Sequence, residues 1–159
     1  MRPHTRFHVA TLLTSLALLL LAGCAATQPA MRIGSGDIIA DRQRLMKLNG
    51  ASVQDITAKA KAGNLEAIAV NAETIALNAE HIPILFPEGS LSEKSYAKPE
   101  IWQKWTEFTA DAKNMQSWAE KLRDAAKAKD AASTQAILKD FGRQACGTCH
   151  TPFRKPLPS

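Results

Sequence analysis

The chain has 159 residues, of which 45% are hydrophobic and 6% aromatic, and a formal net charge of +5. That length suits one domain, and a middle rich in alanine and leucine but poor in glycine favours helices over a β-sandwich. No cluster of lysines and arginines stands out, so the composition gives no case for nucleic-acid binding.

The first stretch reads as an export signal. Arg2 and Arg6 form a basic start, and Val9 to Ala22 form an apolar run too short for a comfortable membrane span. The ending Leu21-Ala22-Gly23-Cys24 resembles the bacterial lipoprotein signal. There the cysteine is lipidated and becomes the first mature residue. Cys24 is then a lipid anchor; the other reading has a peptidase cutting nearby and Cys24 incidental. Ala25 in place of an aspartate is similar to the Gram-negative pattern sent to the outer membrane. Removing residues 1–23 leaves 18 Lys+Arg and 15 Asp+Glu, a net charge of +3. Residues 24–36 hold Pro29, Gly34, Ser35 and Gly36 and read as a flexible tether.

Residues 37–155 form the expected domain, in four helical segments. The first runs from Asp37 to Lys61 with Ile38, Leu45, Val53 and Ile56 on its apolar face, closed by Gly63-Asn64. The second runs from Leu65 to His81, with Leu65, Ile68, Ala72, Ile75, Ala79 and Ile82 in a stripe. Pro83 to Lys98, with Pro83, Pro87 and Gly89, is a long loop. The third starts near Pro99 and carries Ile101, Trp105, Phe108, Ala112, Met115, Ala119, Leu122 and Ala126. The fourth runs from Ala131 to Thr151, with Thr134, Leu138, Phe141 and Ala145 on one face, and Pro152 disfavours helix at Thr151. Steps alternating between three and four residues mark left-handed helix packing. The expected fold is all-α, an antiparallel four-helix bundle.

The chemistry lies in Cys146-Gly147-Thr148-Cys149-His150. Cys-x-x-Cys-His reads as c-type haem attachment, each thiol adding to a vinyl group while the histidine ligates iron. One covalent haem c is expected, with His150 as its proximal ligand. It agrees with the export signal, because such haem is attached outside the cytoplasm. Two other readings stay open. A thioredoxin-like dithiol expects a βαβ context, and none is visible. A zinc site needs four ligands, and His81 is poorly spaced to help.

The position of this motif on the last of four helices resembles the cytochrome c′ family, the class II cytochromes c. Arg42-Gln43 in the first segment, Lys98-Pro99-Glu100-Ile101-Trp102 opening the third, and Phe153-Arg154 after the haem histidine are similar to it as well. The resemblance covers Ile38 to Lys155. It implies a haem between the helices and Arg42 near a propionate, where a guanidinium can pair with a carboxylate; a solvated helix charge is the plainer reading of Arg42. Gln43, Phe153 and Arg154 are implied as haem surroundings. Members often dimerise through the first two helices, so a homodimer is implied too.

Met46 lies four residues after Arg42, on the same helix face. The family places this position on the distal side of the haem. A low-spin branch binds iron there through methionine sulfur, and other members keep methionine only as packing. Methionine–histidine ligation would suit electron transfer with redox partner proteins. A vacant side would admit nitric oxide or carbon monoxide. The expected function is therefore a lipid-anchored, periplasm-facing monohaem electron carrier, with a gas-binding cytochrome c′ as the alternative. Of the other candidates, His81 reads as a surface residue and Met115 as core. Trp102, Trp105 and Trp118 read as core or haem-edge packing, and Met31 belongs to the tether. No nucleophile–base pair or paired carboxylates argue for an enzyme.

Overall fold

A computed structural model of the chain describes residues 34–157. The signal segment, Cys24 and Met31 lie outside the described residues, as does the tether up to residue 33. What is described of the tether is tied down: the Ser35 N–H donates to both Asp41 carboxylate oxygens at 3.1 and 3.0 Å. Gly34 sits at φ +126°, and a Cβ there would run into that carboxylate, so glycine is required.

Helix α1, Ile38–Lys61, starts where the Asp37 side chain accepts from the Ile39 and Ala40 N–H groups, which satisfies two of the unpaired donors of a first turn. It stops at Ala62, and Gly63 turns the chain at φ +72°. Helix α2, Leu65–His81, is capped by Asn64 accepting from the Ala67 N–H. A 3-10 turn, Pro83–Leu85, opens the loop expected there. The third segment is two helices rather than one: α3, Glu100–Gln103, and α4, Trp105–Lys127, with Lys104 at φ −121°, ψ 45° between them. The indole of Trp102 donates to the Phe86 and Pro87 carbonyls at 3.0 and 3.1 Å, which anchors the short helix on the loop. Trp105, just past the break, is 39% exposed and so is not the core residue expected.

The fourth segment is also broken. Helix α5, Ala131–Phe141, passes into a π-helical turn, Gly142–Gly147, and then helix α6, Thr148–Phe153. Helix continues two residues beyond Thr151, through Pro152. A proline lacks only one N–H, and in the last turn of a helix that loss is small. Among the described residues there is no strand; one isolated bridge joins Ala97 to Arg154.

These elements make the expected antiparallel bundle. The α2 and α4 stripes meet across the largest interface, with α1 against α2 and α5 against α4. Ile68, Ala72, Ile75 and Ala79 of α2 and Phe108, Ala112, Ala119, Leu122 and Ala126 of α4 are buried. Each fully buried isoleucine or leucine stabilises the fold by about 1.5–3 kcal/mol. Helix α1 differs. Apart from Ile56 its buried residues are polar: Asp41, Arg42, Asn49 and Ser52. It leans on α2 and the Pro83–Leu85 turn and makes no extensive contact with α6.

Candidate functional site

Between α1 and the end of the fourth segment the bundle is held apart. A cavity of about 1020 Å³ fills the gap, at the upper end of cofactor-site sizes, about 300–1,000 Å³. Its walls bring together residues far apart in the chain. Arg42, Gln43, Met46 and Asn49 come from α1, and Ile75 from α2. Ile101, Phe108, Asp111 and Met115 come from α3 and α4. Cys146, Cys149, His150, Phe153 and Arg154 come from the last turns.

The two cysteines are free thiols. Burial pushes both up, and Cys149 reaches about 12 with help from the nearby Asp111 charge and from Cys146. A redox dithiol needs a thiol whose pKa is pulled down, so the thioredoxin-like reading is not supported. Burial, reinforced by the Arg154 charge, lowers the pKa of His150. A neutral imidazole keeps the lone pair that a metal needs. The π turn itself is pinned to α4: the Gln144 carbonyl accepts from Asn114 Nδ2 at 2.6 Å and from Thr148 Oγ1 at 3.2 Å. Among the described residues, no group of three or more His, Cys, Asp or Glu side chains gathers as a metal set.

Arg42 is 4% exposed. Its Nε donates to the Leu85 carbonyl, Nη1 to the Ser90 carbonyl at 2.9 Å, and Nη2 to Ser90 Oγ. Its guanidinium lies 4.2 Å from the centre of the Phe86 ring, a cation–π distance. It is therefore not the solvated helix charge of the plainer reading. Two of its five N–H groups have no such partner, and among the described residues it pairs with no carboxylate. Gln43 Nε2 donates to the Lys94 carbonyl at 2.9 Å. Phe153 is 3% exposed and meets Phe108 edge-on at 5.5 Å.

Met46 is half-buried and packs with Leu45 and Val53 against the buried cluster. Met115, expected as core, is buried and also lines the cavity. His81 is an exposed residue whose Nδ1 lies 2.9 Å from the Leu77 carbonyl, away from the cavity. None of the three tryptophans lines it; Trp102 and Trp118 pack on the core from outside. Asn49 and Asp111 are wall residues that no motif marks. Neither breaks an apolar stripe, and a buried polar residue gives no periodic signal.

The walls fit a haem. The apolar lining suits a macrocycle, the buried guanidinium has N–H groups left for acidic side arms, and two thiols share a wall with a neutral imidazole. A helical bundle enclosing such a cavity defines a c-type haem protein. A family model described as Cytochrome C' matches residues 37–154. A cytochrome c-554 of Cereibacter sphaeroides is 36% identical over 104 residues, 64% of this chain and 60% of that protein. A cytochrome c′ of Pararhodospirillum photometricum is 36% identical over 124 residues, 72% of this chain and 93% of that protein. Among solved structures, the nitric oxide complex of a mutant cytochrome c′ from Alcaligenes xylosoxidans has a TM-score of 0.67 at 26% identity. The match covers 77% of this chain and 96% of that one. The chain belongs to the cytochrome c′ family, and its cofactor is covalently bound haem c.

Proposed function

We propose that this protein is a periplasm-facing monohaem cytochrome c′ that binds a small gas, nitric oxide or carbon monoxide, at its haem. The carrying observation is the seat of Met46, packed with Leu45 and Val53 against the core, as a wall residue would be. The likeness to cytochromes c′, one of them solved with nitric oxide, supports the same reading. Bound haem supplies an iron that can take a diatomic ligand. The chain supplies the rest. Cys146 and Cys149 hold the ring by two thioethers, and His150, kept neutral by burial, gives iron its protein ligand. Arg42 offers its two remaining N–H groups to a propionate, while Gln43, Phe153 and Arg154 complete the surroundings. The apolar wall excludes water from the gas.

The second reading is electron transfer, with Met46 sulfur as a second iron ligand and acidic redox partners for a mature chain of net charge +3. It is favoured by Met46 lining the same cavity as His150. One experiment decides between the two. Purified holoprotein and its Met46→Leu variant are compared by absorption in the oxidised state and by carbon monoxide titration in the reduced state. The gas reading expects high-spin spectra and full binding in both. A low-spin protein that turns high-spin only in the variant would establish the electron carrier.

The export and anchoring of the chain, with residues 1–23 as signal and Cys24 lipidated, belong to this proposal. Mass spectrometry of the mature N-terminus tests them. Among the described residues no helix is long and apolar enough to cross a membrane. A homodimer is proposed as well, through α1 and α2, where Leu48, Val70 and Leu77 stand exposed.

A further inference from the structure

The mouth of the cavity is basic. Lys47 of α1, Lys94 of the loop before α3 and Arg154 after α6 are exposed residues that line the cavity and so mark its rim. Hydrogen bonds tie them into one face. Gln43 Nε2 donates to the Lys94 carbonyl at 2.9 Å, and Ala97 bridges to Arg154. Exposed Lys155 joins them, its Nζ donating to the Ser95 carbonyl at 3.2 Å. Among the described residues none of these four cations pairs with a carboxylate. Asp111 is the one acid among the lining residues, and Glu93, next to Lys94 in the chain, offsets one further charge. Two apolar side chains of the lining stand in the same face, Tyr96 at 39% and Leu157 at 56% exposure. Cations with a tyrosine and a leucine among them fit a lipid–water interface, where each type finds its medium.

A second observation is where the chain enters the bundle. The bonds from Ser35 to Asp41 fix that point at the start of α1, four residues before the cavity residue Ile39. From Cys24 to Gly34 the chain advances ten residues, which span at most about 36 Å. Helix α1, with 24 residues, is itself about 36 Å long. A lipid on Cys24 therefore keeps the start of α1 near a membrane, and Gln43 and Lys47 put the rim on that first half of the helix. We propose that this rim docks on a membrane surface rich in anionic phospholipid, with the cavity mouth turned toward the bilayer. The inference rests on the lipid anchor proposed at Cys24. The anchor supplies proximity, and each rim cation strengthens docking about fivefold. On the gas-binding reading the orientation is useful, because apolar gases dissolve better in hydrocarbon than in water.

The test uses the lipidated holoprotein, reconstituted on vesicles of phosphatidylcholine alone or with added phosphatidylglycerol. Lysines are acetylated by a water-soluble reagent and read by mass spectrometry. The anchor holds the protein on both surfaces, so a difference between them reports the rim. Labelling of Lys47, Lys94 and Lys155 should fall about three- to tenfold on the anionic vesicles. Lys61 and Lys127, the last residues of α1 and α4, should keep theirs, and high salt should restore the rim by screening. Lys94→Gln combined with Lys155→Gln should weaken docking about 25-fold, so that Lys47 labels as it does on the neutral surface. Equal labelling on the two surfaces, with the protein still floating with its vesicles, would overturn the inference and leave the anchor standing. An even fall at every lysine would also overturn it, because such adsorption has no preferred face. Rim lysines open on both vesicles but covered by soluble polyglutamate would assign the face to an acidic protein instead. A mature N-terminus that carries no lipid would sink the anchor and the inference together.

Discussion

A buried guanidinium destabilises a fold unless its N–H groups find partners. Arg42 offsets that cost by holding the loop after α2 at Leu85 and Ser90 and by stacking on Phe86. Lysine has neither the fork nor the flat face. Arg42→Lys should therefore lower the stability of the holoprotein by about 1–3 kcal/mol, read from the midpoint of urea unfolding. An unchanged midpoint would mean that the loop does not need the arginine. At the other wall, Cys149→Ala should leave haem attached by one thioether through Cys146. The pyridine haemochrome band should then move to the red of the two-thioether protein. Asp111 is a different case. Burial raises its pKa above the ordinary carboxylate value, against a lowering hydrogen bond from Thr148. A raised carboxyl favours folding while protonated and loses that contribution as pH climbs through its folded value. Asp111→Asn should thus melt higher than wild type at pH 7, with the gain shrinking as pH falls through the folded value and vanishing well below about pH 4, where both states of the wild type are protonated.

Helices α2 and α4 were legible because burial there is apolar, and apolar burial repeats. All but Leu65 of the α2 stripe and all but Trp105 of the third-segment stripe are buried. Cys-x-x-Cys-His was legible because its spacing is chemically specific. Helix α1 was legible only in part. Its inward face is built of Asp41, Arg42, Asn49 and Ser52, which a hydrophobic pattern scores as outward. The break at Lys104 and the π turn that holds Cys146 leave no mark in composition, since they arise from tertiary ties such as Trp102 to the loop and Asn114 to Gln144. The start of α1 yields a prediction at this scale. The Ser35 backbone hydrogen bond lowers the pKa of Asp41, with further lowering from Arg44. A depressed carboxyl stabilises above its unfolded value, and the contribution is lost as pH falls through the folded value. Asp41→Asn should therefore melt below wild type at neutral pH and match it in acid.

At the scale of the whole molecule, the bundle is closed on three sides and held open on the fourth. Without haem, the wall formed by Ile75, Ile101, Phe108 and Met115 would face a large empty space. Such a space forfeits the packing contacts of its lining. Chain produced without haem attachment should keep its far-UV helical signal, lose near-UV structure and bind the dye ANS, the signature of a loosened core. Cooperative melting at the holoprotein's temperature would show instead that the bundle stands unaided.

The π turn at Gly142–Gly147 bears on how this chain can change length. Such a turn carries one residue more than an α-helix of the same span. Thr134 and Phe141 before it are locked into the core, whereas Cys146 lies within it and Cys149 and His150 follow it. A deletion of one residue among Gly142–Gln144 would be absorbed by tightening the turn to an α-helix of the same span, which keeps Cys149 and His150 facing the cavity, whereas the same deletion within α5 would rotate everything downstream by about 100°. Loss of a single codon at this spot should therefore be better tolerated, read as haem attached per folded protein, than the same loss within α5.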